Sequence, residues 1–144
     1  MQHRKRLALV AVLLVLPLPL AACGGDSEQA VEEAVVVEEV GTTGLNRITL
    51  TEKAAQRLDI QTAAVEQNGE RTIIPYAALL YSPNGDTWTY VNSEGLTFVR
   101  EAIVVDRIDG DRALLTKGPE PGTKVATVGV QELYGSETGI GGGH

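Results

Sequence analysis

Apolar residues fall along this chain in three regimes. Residues 7–20 are apolar without interruption. Residues 24–44 interleave small apolar side chains with Glu28, Glu32, Glu33, Glu38 and Glu39, bounded by glycines. From Leu45 onward, apolar and polar positions alternate in short runs, the period-two pattern of half-buried strands. Ile48 and Leu50 alternate with Thr49 and Thr51, which predicts a short strand. Thr49 and Glu52 stand at capping-box spacing and Thr51 is the alternative N-cap, so a short helix is expected over residues 52–58. Asp59 follows it in the position where a left-handed residue closes a helix, and residues 60–65 return to an extended pattern.

Beyond Arg71 the pattern is strand and turn in quick succession. Asn84-Gly85 separates extended runs at 76–81 and 87–91, and Asp109-Gly110 separates 98–108 from 112–116; both dipeptides supply the positive φ angles of a tight hairpin. Gly118-Pro119-Glu120-Pro121-Gly122 predicts a rigid bend before a last strand at 124–128, with Pro121-Gly122 suited to the centre of a type II turn. Leu133 and Tyr134 are the last expected core residues, because residues 135–144 contain five glycines and little to bury. The fold expected is a mainly β, compact antiparallel domain, roll- or barrel-like, with one short N-terminal helix. Trp88, Tyr90 and Phe98 are expected in its core.

Four regions follow. Residues 1–22 read as a signal peptide, 23–44 as an acidic tether, 45–134 as the folded domain and 135–144 as a glycine-rich disordered tail. The tether carries too little apolar surface to offset its ordering entropy, although Val35 and Val37 leave an edge strand open over 34–40.

The N-terminus changes the picture most. Arg4, Lys5 and Arg6 directly precede the apolar run, the order of a secretory signal. That run is shorter than the roughly 20 residues a spanning helix needs, and Pro17 and Pro19 interrupt its end. Leu20-Ala21-Ala22-Cys23 then resembles the lipobox of bacterial lipoproteins. The resemblance implies cleavage between Ala22 and Cys23 and acylation of the Cys23 thiol, with membrane lipid as a partner through that modified residue. Cys23 is the only cysteine, so neither a disulfide framework nor a cysteine-based metal cluster is available. The mature 122 residues would carry nine cations against nineteen acids, a net charge of −10 that argues against nucleic acid or anionic headgroups as partners.

Catalytic side chains are scarce. The only histidine after the signal is His144, at the end of the tail, and Ser27, Ser82, Ser93 and Ser136 lie in tether, turns or tail without a nucleophile-elbow sequence. No phosphate-cradling glycine loop occurs. The chain is therefore expected to be non-enzymatic and without a cofactor. Asp106, Asp109 and Asp111 place three carboxylates in six residues, enough to suggest a hard-cation site. Their spacing departs from a calcium loop, and Arg107 and Arg112 flank them, so a solvated hairpin tip is the plainer reading.

Two segments resemble the periplasmic adaptors, or membrane fusion proteins, of RND-type efflux pumps. Residues 48–65, ITLTEKAAQRLDIQTAAV, are similar to the extended–helix–extended start of heavy-metal-type adaptors. The run from Ile74-Pro75-Tyr76-Ala77-Ala78-Leu79, through Thr87-Trp88-Thr89-Tyr90-Val91 and residues 98–105, to Pro121-Gly122-Thr123-Lys124-Val125-Ala126-Thr127-Val128-Gly129 looks like the family's membrane-proximal domain. Asp59 departs from the glycine usual after the short helix. In full adaptors a β-barrel, a lipoyl-like domain and a helical hairpin separate the two segments; here only residues 66–70 do. The resemblance implies a truncated, lipid-anchored accessory that docks on an RND-type permease and does not bridge two membranes, with residues 98–105 and the surroundings of Ile73 and Ile74 as candidate docking surfaces if they are not core. The competing expectation is an independent ligand-binding or cell-envelope lipoprotein that shares a small β-fold.

Overall fold

The computed structural model describes residues 33–139; the signal segment, Cys23, the tether as far as residue 32 and the tail from residue 140 lie outside the described residues. In chain order the elements are β1 (Val35–Glu39), β2 (Asn46–Leu50), α1 (Glu52–Arg57), β3 (Gln61–Ala64), β4 (Glu66–Asn68), β5 (Arg71–Pro75) and a 3-10 turn at Tyr76–Ala78. There follow β6 (Leu80–Tyr81), β7 (Thr87–Glu94), β8 (Thr97–Ala102), β9 (Val104–Asp109), β10 (Arg112–Lys117), β11 (Lys124–Val128) and α2 (Val130–Thr138). A seven-stranded sheet runs β1-β2-β8-β7-β11-β3, with β6 also paired to β7, and a four-stranded sheet runs β4-β5-β10-β9. Every pairing is antiparallel. The fold is thus the mainly β, antiparallel domain that the alternation predicted.

Local signals set much of this. The Thr51 side chain accepts from the Ala54 amide at 3.2 Å and caps α1, Ala54 and Ala55 bury its inner face, and Asp59 closes it with φ 49°. Gly110, at φ 61°, turns β9 into β10 so that Asp109 faces Arg112. Two clusters form the core. One joins Ile48, Leu50, Leu80, Tyr90 and Phe98 of the larger sheet to Ala54 and Ala55 of α1 and Leu133 of α2. The other joins Ile74, Ala113 and Leu115 of the smaller sheet to Val125 of the larger one, with Ala78, Leu79 and Ile103 filling between.

Four expectations need correction. The tether is shorter than 23–44, because the edge strand left open over 34–40 forms: β1 pairs along its whole length with β2, Val35 opposite Leu50 and Glu39 opposite Asn46. The single strand expected over 98–108 is two strands in different sheets. The chain crosses at Ile103, whose amide donates to the Thr87 carbonyl at 3.0 Å while the Thr87 hydroxyl donates back to the Ile103 carbonyl at 2.8 Å. The short helix at the start of the domain is accompanied by a second, longer one at its end. That helix, α2, runs through Gly135 to Thr138, where a disordered tail was expected, because Val130, Leu133 and Glu137 are all buried against the larger sheet.

Tyr90 and Phe98 are fully buried, as expected, whereas Trp88 lies half-buried at the rim of the first cluster. Trp88→Ala is accordingly expected to cost about 1–3 kcal/mol, less than a full core truncation. Denaturant unfolding followed by far-ultraviolet circular dichroism measures it, and a loss beyond that of Phe98→Ala would contradict the placement.

Candidate functional site

Of the residues singled out by sequence, Ala22 and Cys23 lie outside the described residues. The three aspartates do not converge. Asp106, on β9, pairs with Arg71 at 3.1 Å and Arg107 at 3.4 Å, and no group of three or more histidines, cysteines or acids among the described residues is placed to hold a metal. The cation-site idea therefore finds its carboxylates neutralised or apart. The described serines donate locally: Ser93 to the Thr97 carbonyl at 3.4 Å, Ser136 to the Glu132 carbonyl at 2.9 Å, and Ser82 within its own turn to Asn84 and the Asp86 carbonyl. Of the candidate docking positions, Ile73, Ile74, Phe98 and Ile103 are core, each 5 % exposed or less, whereas Val104 in the same 98–105 stretch is 49 % exposed. Long side chains close the outer face over Ile73: Glu66 lies opposite it in β4, and Arg112 bonds Glu66 across the sheet.

An open apolar groove lies elsewhere. Strand β1 is the last strand of its sheet among the described residues, and its far edge faces no other strand. Val36 and Val37 are each 42 % exposed there, followed by exposed Glu38 and Glu39. Beside β1 a groove of about 770 Å³ is lined by Val35 and Val37 of that strand, by Ala54 of α1 and Leu58 just after it, and by Gly135 and Ser136 of α2. Glu33, Glu132 and Arg57 stand around it. Thr51 ties strand and helix together, since its amide donates to the Ala34 carbonyl at 3.1 Å while its hydroxyl caps α1.

The α2 wall is held by a buried clasp that sequence reasoning missed. The Glu137 side chain is 1 % exposed; Oε2 accepts from the Tyr90 hydroxyl at 2.5 Å and Oε1 from Arg100 Nε at 3.0 Å. Asn46 adds contacts from its amide and side chain to Glu137. The Arg100 guanidinium also lies 4.4 Å from the centroid of the Trp88 ring and 5.9 Å from that of Tyr134, so the cation is fixed from two sides. Burial, reinforced by the bond to Glu137, pushes the Tyr90 phenol far above its ordinary value. Tyr90 therefore remains a donor and does not serve as a base. The clasp positions a helix. A signal for it was present in the sequence only as one acid within a glycine-flanked segment.

Comparison with protein-family models, curated proteins and solved structures returns no match for this chain. Its function is therefore argued from its own residues.

Proposed function

We propose that the chain is a lipid-anchored, non-enzymatic accessory on the extracytoplasmic face of a membrane, where it docks on an RND-type efflux permease. The observation that carries the reading is the N-terminal order of Arg4, Lys5 and Arg6, apolar residues 7–20, and Leu20-Ala21-Ala22-Cys23. A diacylglyceryl group on Cys23 supplies two acyl chains, and two membrane signals are what stable anchoring requires, each buried methylene adding about 0.8 kcal/mol. Among the described residues no helix is long and apolar enough to cross a membrane. The transporter half of the reading rests on the resemblance of residues 48–65 and 74–129 to adaptors of RND-type pumps. The succession β2, α1, β3 over the first of these segments supports it. Confinement to a surface raises the effective concentration of a membrane partner, so a weak docking contact suffices.

Fractionation tests the anchor. Cys23→Ser is expected to move the protein from the membrane to the soluble fraction, and unchanged retention would show that something other than lipid holds it. Crosslinking in native membranes tests the partner. Recovery of an RND-type permease is expected, together with reduced efflux when this gene is deleted and the permease kept. Unchanged export with no permease recovered would leave an independent envelope lipoprotein as the better description.

A further inference from the structure

We infer that the free edge of β1 and the groove beside it form a β-augmentation site for an extended, apolar and basic segment of a partner protein. The inference rests on the docking reading above and names the surface that does the docking.

Three features of the same place point to this occupant. The first is backbone. The far edge of β1 meets no strand among the described residues, and an added strand would satisfy its outward amides and carbonyls at the ladder spacing of the sheet. The second is the groove. Val35 and Val37 lie on one face of β1, and the apolar trough between α1 and α2 lies over them. An incoming strand on this edge would send every second side chain into that trough, the arrangement by which strand addition gains specificity. The third is charge. Exposed Glu38 and Glu39 end the strand, while Glu33 and Glu132 line the groove against the single cation Arg57. Arg47 answers Glu38 only at 3.9 Å and from an exposed position. Lysine or arginine on the incoming segment, opposite Glu38 and Glu39, completes the match. A second copy of this chain fits less well, because it brings another strongly acidic surface to an acidic rim.

β1 also carries a hazard that natural sheets blunt with charge or cover with another element. The two glutamates blunt one end. Val36 and Val37 at the other end remain uncovered among the described residues, as a surface reserved for a partner would.

The test uses the full mature chain with two synthetic probes. One is a hexapeptide, Lys-Lys-Val-Thr-Val-Thr, blocked at both ends, whose lysines fall opposite Glu38 and Glu39 when it pairs antiparallel to β1. The other is the same peptide with glutamate in place of lysine. The lysine peptide is expected to bind and to slow hydrogen exchange at the amides of β1, with the glutamate peptide at least about tenfold weaker. The double variant Glu38→Lys, Glu39→Lys should reverse that preference, a change of the size expected when two exposed attractions become repulsions. Both glutamates are exposed, so the variant leaves the core intact, which thermal unfolding verifies. The inference is overturned if neither peptide protects β1, if preference does not follow the charge reversal, or if the chain alone dimerises through β1 in sedimentation. Should a permease crosslink to the protein at residues remote from β1 and the groove, the accessory role stands and this surface assignment falls. Should the lysine peptide bind as described while no permease is recovered, the surface stands and the identity of the partner falls.

Discussion

Glu137→Ala is expected to destabilise the domain by about 3–5 kcal/mol, because it leaves a largely buried Arg100 and a buried Tyr90 hydroxyl without their shared acceptor. Domains of this size are stable by only about 5–15 kcal/mol, so the loss is a fifth or more of the total. The graded variants separate charge from hydrogen bonding. Glu137→Gln keeps an acceptor for Tyr90 and removes the charge facing Arg100, and should lie between wild type and Glu137→Ala. Tyr90→Phe removes a donor together with part of the need for an acceptor, and should cost about 1.5–3 kcal/mol, the value of a hydrogen bond to a charged group. A chain ending at Tyr134 deletes Glu137 outright and should be at least as unstable as Glu137→Ala. Urea unfolding gives all four values. A loss within about 0.5 kcal/mol for Glu137→Ala would show that the clasp is not closed in solution.

That truncation marks where the sequence misleads. Read locally, residues 135–139 hold two glycines and no apolar stripe, and nothing in them asks for a helix. Their order comes from partners 37 and 47 residues away, at Arg100 and Tyr90, which no local pattern reveals. Single helices this short gain most of their stability from tertiary packing, and α2 is such a case. The legible features were those decided within a few residues: the Thr51 cap, the left-handed Asp59, and the turns at Gly85 and Gly110, where the glycine alone, and not Asn84 or Asp109, takes the positive φ. The break at Ile103 was hidden for another reason. Ile103-Val104-Val105 is a continuous apolar run, and a run without alternation carries no record of where a strand leaves one sheet for another.

The same limit applies to function. The signal and lipobox-like residues are contiguous, so they can be read without a structure. The groove draws on residues near 35, 57 and 135, and although an edge strand over 34–40 was open from the valines, the groove beside it was not legible, because its other residues come from distant parts of the chain. Burial does not explain why this segment is a strand, since two of the three valines are substantially exposed. Its pairing with β2 does. By contrast, Ile73, Ile74 and Phe98, candidates for docking only if not core, are among those with most to gain from the interior, and the structure buries them while leaving Val104 exposed.

The backbone itself supplies the other large effect. Gly129 joins β11 to α2 at φ 83°, and a β-carbon placed there would overlap the Cδ1 atom of Ile60. Gly129→Ala therefore meets two penalties: about 1–2 kcal/mol for a left-handed non-glycine residue, and about 1–3 kcal/mol for overpacking. Together they predict a loss of about 2–5 kcal/mol. The two penalties are separable, because Ile60→Val removes the clashing Cδ1 and leaves the next atom, Cγ1, 3.5 Å from the new carbon, an ordinary contact. In the double variant the packing penalty should vanish while the backbone penalty stays, so Gly129→Ala should be less costly beside Val at position 60 than beside Ile. A double-mutant cycle in denaturant measures the difference, expected at about 1–3 kcal/mol in favour of the pair. Strict additivity would mean that Ile60 turns aside at no cost, and that the glycine is required only for its dihedral angle.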